Sequence, residues 1–144
     1  MSDVISVQLG EPGTTAKAFH YGRVSSRPFE DVVAALRAEI DGRGLKLLNE
    51  IDPQRVLAGL GRSIDGSRLL FFFHPNLVVR VMQTDWTAMV EAPLKLVVTE
   101  LPDRTVSVLM ADPAVAFGRY GNPELAEFGK ELAATCQNIV EASI

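Results

Sequence analysis

Chemistry in this chain would have to come from very few side chains. His20 and His74 are its only histidines and Cys136 is its only cysteine. Two imidazoles from different strands would suit a transition metal or a haem iron if they converged. Structural metal sites usually take four ligands, however, and no Cys or Glu stands at helical or hairpin spacing from either histidine. No metal and no cofactor is therefore expected, and each imidazole reads first as a hydrogen-bonded structural group. His74 has the more informative surroundings. It ends the apolar run Leu69–Phe73, precedes Pro75, and is followed by Asn76 and, a helical turn further on, Arg80. Polar groups at a strand end of this kind gather around ligands. A helix starting at Asn76 would offer free backbone donors which, together with Arg80, would hold a carboxylate or phosphate. Against this, Asn76 would simply cap the helix while Arg80 points to water or pairs with Asp85. Trp86, Met89 and Phe71–Phe73 supply apolar walls nearby, although such clusters more often serve as core or dimer contact than as pocket lining. His74, Asn76, Arg80 and Trp86 are the candidate ligand-binding group.

The remaining motifs carry less. Glu50, Asp52 and Asp112 would supply paired carboxylates for acid-base work if their strand ends were neighbours, but Asp52 and Asp112 each precede proline, where turn and cap geometry explains them. Gly59-x-Gly61 lacks both the length and the Lys-Ser/Thr of a phosphate loop. Cys136 falls on an apolar helical stripe and is expected to be a buried, inert thiol. No serine-nucleophile elbow is present. No catalytic residue is assigned.

The elements that must position these groups follow from periodicity. Ala16–Val24 reads as a strand closed by Ser25, Ser26 and Pro28. Phe29, Val32, Val33, Leu36 and Ile40 recur at helical spacing until Gly42 and Gly44 end the pattern. Lys46–Ile51 is a second strand, and Asp52-Pro53 caps a short helix that stops at Gly61. Leu69–Phe73, apolar on both sides, is expected to be a central strand covered on both faces. Leu77–Met82 is apolar almost all round except Arg80, so a helix there must be buried or meet another subunit. Leu94–Thr99 and Thr105–Met110 make an antiparallel hairpin through Leu101–Arg104. Asp112-Pro113 opens a short helical turn, and Asn122-Pro123-Glu124 starts a long helix with Leu125, Phe128, Leu132, Cys136 and Ile139 on one face.

Strand, helix, four strands, helix is the resulting order. It predicts an α+β single domain: an antiparallel sheet with two long helices on one face, resembling the topology of the TATA-binding protein. The other face would need cover from the short middle helices, a ligand or a second subunit, and Leu77–Met82 makes a homodimer the expected assembly. The domain is read over residues 14–144. Residues 1–13 are set apart as an N-terminal arm, and the stretch Gln8–Thr15, where Gly10, Pro12 and Gly13 cluster, reads as mobile or as an added edge strand.

Composition narrows the function classes. With 144 residues, 47% of them hydrophobic, the chain is long enough for one domain with its own core. Fourteen Lys and Arg against 18 Asp and Glu give a net charge of −4, which argues against nucleic acid as a partner. Leu69–Phe73, an apolar run that no other in the chain exceeds, falls far short of the roughly 18 residues of a membrane-spanning helix. A lone cysteine forms no internal disulfide, and Met1–Val4 has no secretory character, so a cytoplasmic address is expected.

Several strings, taken in order, resemble the domain-of-unknown-function family 302 over about residues 14 to 141. Phe29-Glu30-Asp31-Val32-Val33 leads through Gly44 to Glu50-Ile51-Asp52, and Leu60-Gly61 closes the next short helix. His74-Pro75 stands where the family usually has Asn-Pro after a cysteine, and Ala92-Pro93-Leu94-Lys95 where it usually has Leu-Pro-Cys-Asn. Ala111-Asp112-Pro113 and Gly121-Asn122-Pro123-Glu124-Leu125-Ala126 complete the series, the last being the most specific. The resemblance implies an α+β domain that tends to form homodimers, without an established general activity. Phe73 and Leu94 occupy the two family cysteine positions, so a role resting on paired thiols would lose its nucleophiles or ligands here.

The leading expectation is a homodimer that binds a small anionic or amphipathic molecule between the end of the Leu69–Phe73 strand and the Asn76 helix. Alternatively His74 would act as an acid-base catalyst with a strand-end carboxylate. A third possibility is a protein-interaction module docking through the Leu77–Met82 helix.

Overall fold

The computed structural model describes residues 3–12 and 18–144. In chain order its elements are β1 (Ile5–Ser6), β2 (His20–Ser25), α1 (Phe29–Gly42), β3 (Lys46–Ile51), α2 (Pro53–Ala58), β4 (Arg62–Ser63), β5 (Ser67–Phe73), α3 (Pro75–Asp85), a 3-10 helix (Trp86–Glu91), β6 (Leu94–Glu100), β7 (Val106–Ala111), α4 (Pro113–Gly118) and α5 (Pro123–Ser143). Five strands form one sheet in the order β2-β7-β6-β5-β3, every neighbouring pair antiparallel. The α+β fold expected from the sequence is thus the one observed. Of the expected strand Ala16–Val24, Ala16 and Lys17 lie outside the described residues, as does the boundary between residues 13 and 14. Near the N-terminus β1 pairs in parallel with β4 in a separate two-stranded ribbon.

Alternation along the strands explains which face the helices cover. Leu70, Phe72, Leu96, Val98, Val106, Val108 and Met110 point to one side and are all buried. Opposite them lie Phe29, Val32, Val33, Leu36 and Ile40 of α1 and Leu125, Phe128, Leu132, Cys136 and Ile139 of α5. Full burial of each large side chain contributes about 1.5–3 kcal/mol, so these two stripes fix the sandwich. α5 starts where Asn122 Oδ1 accepts from the N–H groups of Glu124 (2.9 Å) and Leu125 (3.3 Å), with Pro123 at its first position. Gly44, at φ 75°, turns the chain from α1 into β3, a conformation that a side chain would oppose.

One expectation about the sheet changes. β6 is the central strand, and β5 stands between it and the edge strand β3. Leu69 and Phe71, on the face away from the long helices, are half-buried, like Val97 and Leu109 beside them. An apolar run records that both faces avoid water to some degree; the hairpin connections decide strand order.

Cys136 is 1% exposed, and burial pushes its thiol up to about 12, with the charge of Asp112 adding to the rise. The folded protein should therefore be unreactive toward Ellman's reagent at mildly alkaline pH and release one equivalent of chromophore only on denaturation. A fast stoichiometric reaction of the folded protein would contradict this.

Candidate functional site

Around His74 the backbone geometry comes first. β5 ends at Phe73 and α3 begins at Pro75, leaving His74 as the N-cap in extended conformation. Its Nδ1 accepts from the Asn76 N–H at 2.9 Å. The helix is thus capped by His74 and not by Asn76. The N–H groups of Leu77 and Val78 bond the His74 carbonyl at 3.0 and 3.1 Å. The first turn of α3 therefore has no spare donors of the kind the anion-binding expectation needed.

Two cavities meet at His74. One, of about 390 Å³, is lined by Lys46, Leu48, Phe73, His74, Pro75, Val78, Met89, Ala92 and Pro93. The Ala92–Pro93 peptide on its wall is cis. The other, of about 310 Å³, is lined by Arg43, Leu45, His74, Asn76, Leu77, Phe128, Glu131, Leu132 and Thr135. The first is apolar apart from His74 and Lys46 and contains no carboxylate. The second has an apolar floor and a polar rim, where Glu131 takes Arg80 at 2.9 Å and Arg43 takes Glu39 at 3.2 Å.

Of the residues read from sequence, His74 borders both cavities, Asn76 one of them, and Met89 and Phe73 the other. Arg80 lines neither: it lies over the Phe128 ring, 5.1 Å from its centroid, and reaches across to Glu131 on α5 instead of Asp85. Trp86 also lines neither, being 72% exposed at the start of the 3-10 helix. Val79 (53%) and Met82 (56%) on α3 and Val90 (84%) on the 3-10 helix are exposed as well, so α3 is not enclosed as its composition suggested. Only Val81 of α3 is buried, with Leu77 and Val78 half-buried.

Sequence reasoning missed Lys46, Leu48, Arg43 and Pro93. The signal for Lys46 and Leu48 is strand alternation: they are two residues apart on β3 and share a face, and Lys46 pairs with Phe73. That pairing is a relation between two strands, so the sequence of β3 alone does not show that this face meets His74.

The carboxylates considered for catalysis are engaged elsewhere. Asp52 accepts from Arg55 N and caps α2, and Asp112 accepts from Ala114 N and caps α4. Glu50 takes two bonds from Arg37 and also faces Arg68, which donates to Asp52 and Glu30 as well. None of Glu50, Asp52 and Asp112 lines a cavity that His74 borders. Nor do the histidines converge. β2 and β5 are separated by two strands, about 14 Å across the sheet, and His20 faces a cavity with Gly22, Val24 and Leu109. Among the described residues no group of three or more His, Cys, Asp or Glu side chains could hold a metal ion, and no helix is long and apolar enough to cross a membrane.

Fold and site together define a small α+β domain with helices on one face of an antiparallel sheet and an apolar cleft at the end of its fourth-placed strand, β5. The chain belongs to the family described as Domain of unknown function DUF302, which matches residues 21–143. This is the family that the sequence strings resemble. A crystal structure of an uncharacterized conserved DUF302 protein from Bacillus stearothermophilus is similar in fold, with a TM-score of 0.80 at 19% identity, covering 89% of this chain and 100% of that one. No curated protein matches the chain.

Proposed function

We propose that this domain binds a small anionic or amphipathic molecule in the cavity between the end of β5 and α3, and that it does so as a homodimer seated through α3. The observation that carries the ligand reading is the lining itself. A concave space of about 390 Å³ combines Phe73, Val78, Met89 and Pro93 with two nitrogen-bearing side chains, His74 and Lys46, and no acid. Ligand sites have this make-up: mostly apolar walls with a few placed polar groups. His74 serves as junction and cap, Asn76 borders the adjoining cavity, and Arg80 holds Phe128 and Glu131 behind it. The exposed apolar side chains of Val79 and Met82 on α3 and of Trp86 and Val90 on the 3-10 helix support the second copy, because apolar surface of this kind is what a subunit contact covers, and Gln83 and Thr87 beside them are uncharged.

The ligand reading is tested with 8-anilinonaphthalene-1-sulfonate, an apolar probe carrying one negative charge. Wild type should bind one probe per chain with enhanced fluorescence, and Val78→Trp, which fills the cavity, should abolish this while the far-ultraviolet dichroism stays unchanged. Undiminished probe binding by a folded Val78→Trp variant would overturn the proposal. In the same series Trp86→Glu should sediment as a monomer; a dimer that persists would move the interface away from α3.

A further inference from the structure

Building on the ligand-binding reading of the β5–α3 cavity, we infer that its occupant is an unbranched aliphatic monoanion, with the chain among Val78, Met89 and Pro93 and the charged head on Lys46, and that Leu48 sets the chain length admitted. Charge distribution is the first support. Lys46 makes no ion pair among the described residues, whereas Arg43, three positions earlier at the C-terminal end of α1, is held by Glu39. With no carboxylate on the wall, a cationic ligand would find no counter-charge in the cavity, and an uncharged one would leave the ammonium unused. Strand alternation is the second support. Lys46 and Leu48, two residues apart on β3, share one face of the sheet beside Phe73, so both line the cavity. They stand about 7 Å apart along the strand, which separates the charged group from the apolar rim by several methylenes of an extended chain. Met89 is the third. An unbranched thioether adapts to a flexible chain better than a rigid wall does, and Phe73 is the only aromatic carbocycle in the lining.

Titration calorimetry below micellar concentrations decides the matter, with octanoate, decanoate, dodecanoate, decanol and decyltrimethylammonium as the probes. Decanoate should bind one per chain about tenfold tighter than decanol, and decyltrimethylammonium more weakly than either. Each methylene should add about fourfold until the cavity is full. Lys46→Glu should erase the preference for decanoate over decanol. Leu48→Trp, at an exposed position that tolerates bulk, should weaken dodecanoate while sparing octanoate. Equal affinities for decanoate and decanol, or no dependence on chain length, would overturn this assignment while anilinonaphthalenesulfonate binding left the cavity reading standing. Loss of binding for that probe as well would overturn both.

Discussion

Gly129→Val should destabilise the protein by about 3 kcal/mol and lower its melting temperature by about 10 °C. Gly129 sits in the interior of α5, where glycine costs about 1 kcal/mol relative to alanine, so helix propensity alone favours replacing it. Packing opposes that gain and wins. A Cβ at this position would lie 2.7 Å from the carbonyl oxygen of Pro113, 3.0 Å from Phe117 Cβ and 3.3 Å from Ala114 Cα. These are main-chain or main-chain-proximal atoms of α4, and no side-chain rotation removes them. α4 would have to move away from α5, opening the contact that buries Pro113 and Phe117. Gly118 supplies the control, being in α4 itself with nothing within 4 Å of an added Cβ. Gly118→Ala should raise stability by about 0.5–1 kcal/mol. Thermal unfolding followed by circular dichroism reads both, and a Gly129→Val variant that melts within a degree or two of wild type would show that α4 is not seated as described.

What the sequence disclosed depended on how local each determinant is. The α1 and α5 stripes were legible because a helix face is written within one segment: Phe29 to Ile40 and Leu125 to Ile139 repeat at the helical period, and all of those apolar positions are buried. Caps were legible for the same reason. Asp52, Asp112 and Asn122 each precede a proline and each accepts a backbone N–H. The site was only half legible. His74 drew attention as the end of an aromatic strand, but its cap role required knowing that the helix starts at Pro75, one residue before the position expected. Arg80 on α3 and Trp86 on the 3-10 helix both lie outside the cavity, the guanidinium because Phe128 and Glu131 on α5 draw it across and the indole because it stands exposed at the start of its helix. Lys46 and Leu48 enter because β3 pairs with β5 so that Lys46 stands opposite Phe73, a relation between two strands that neither strand records alone.

Phe117→Ala should have the largest effect of any single truncation near the site, about 3–5 kcal/mol. Phe117 is fully buried and meets Phe128 edge to face, with ring centroids 5.0 Å apart and planes at 89°. Phe128 in turn carries Arg80 5.1 Å from its centroid and lines the cavity of about 310 Å³ beside His74. Magnitudes decide which of these contacts matters. An aromatic pair adds about 1 kcal/mol beyond burial, and the loss of a whole buried ring adds the transfer and cavity terms. The Arg80–Glu131 ion pair, with side chains 48% and 54% exposed, contributes at most about 1 kcal/mol. Arg80→Ala should therefore be nearly silent in stability where Phe117→Ala is not, and Phe117→Leu should recover about half of the loss. Urea unfolding separates the cases. The Phe117→Ala midpoint should fall with the slope unchanged, because the folded state loses a contact and not its extent of burial. A Phe117→Ala cost below about 1 kcal/mol, or an Arg80→Ala cost above it, would mean that Phe128 is held from the surface side and that the wall behind His74 is not anchored by α4.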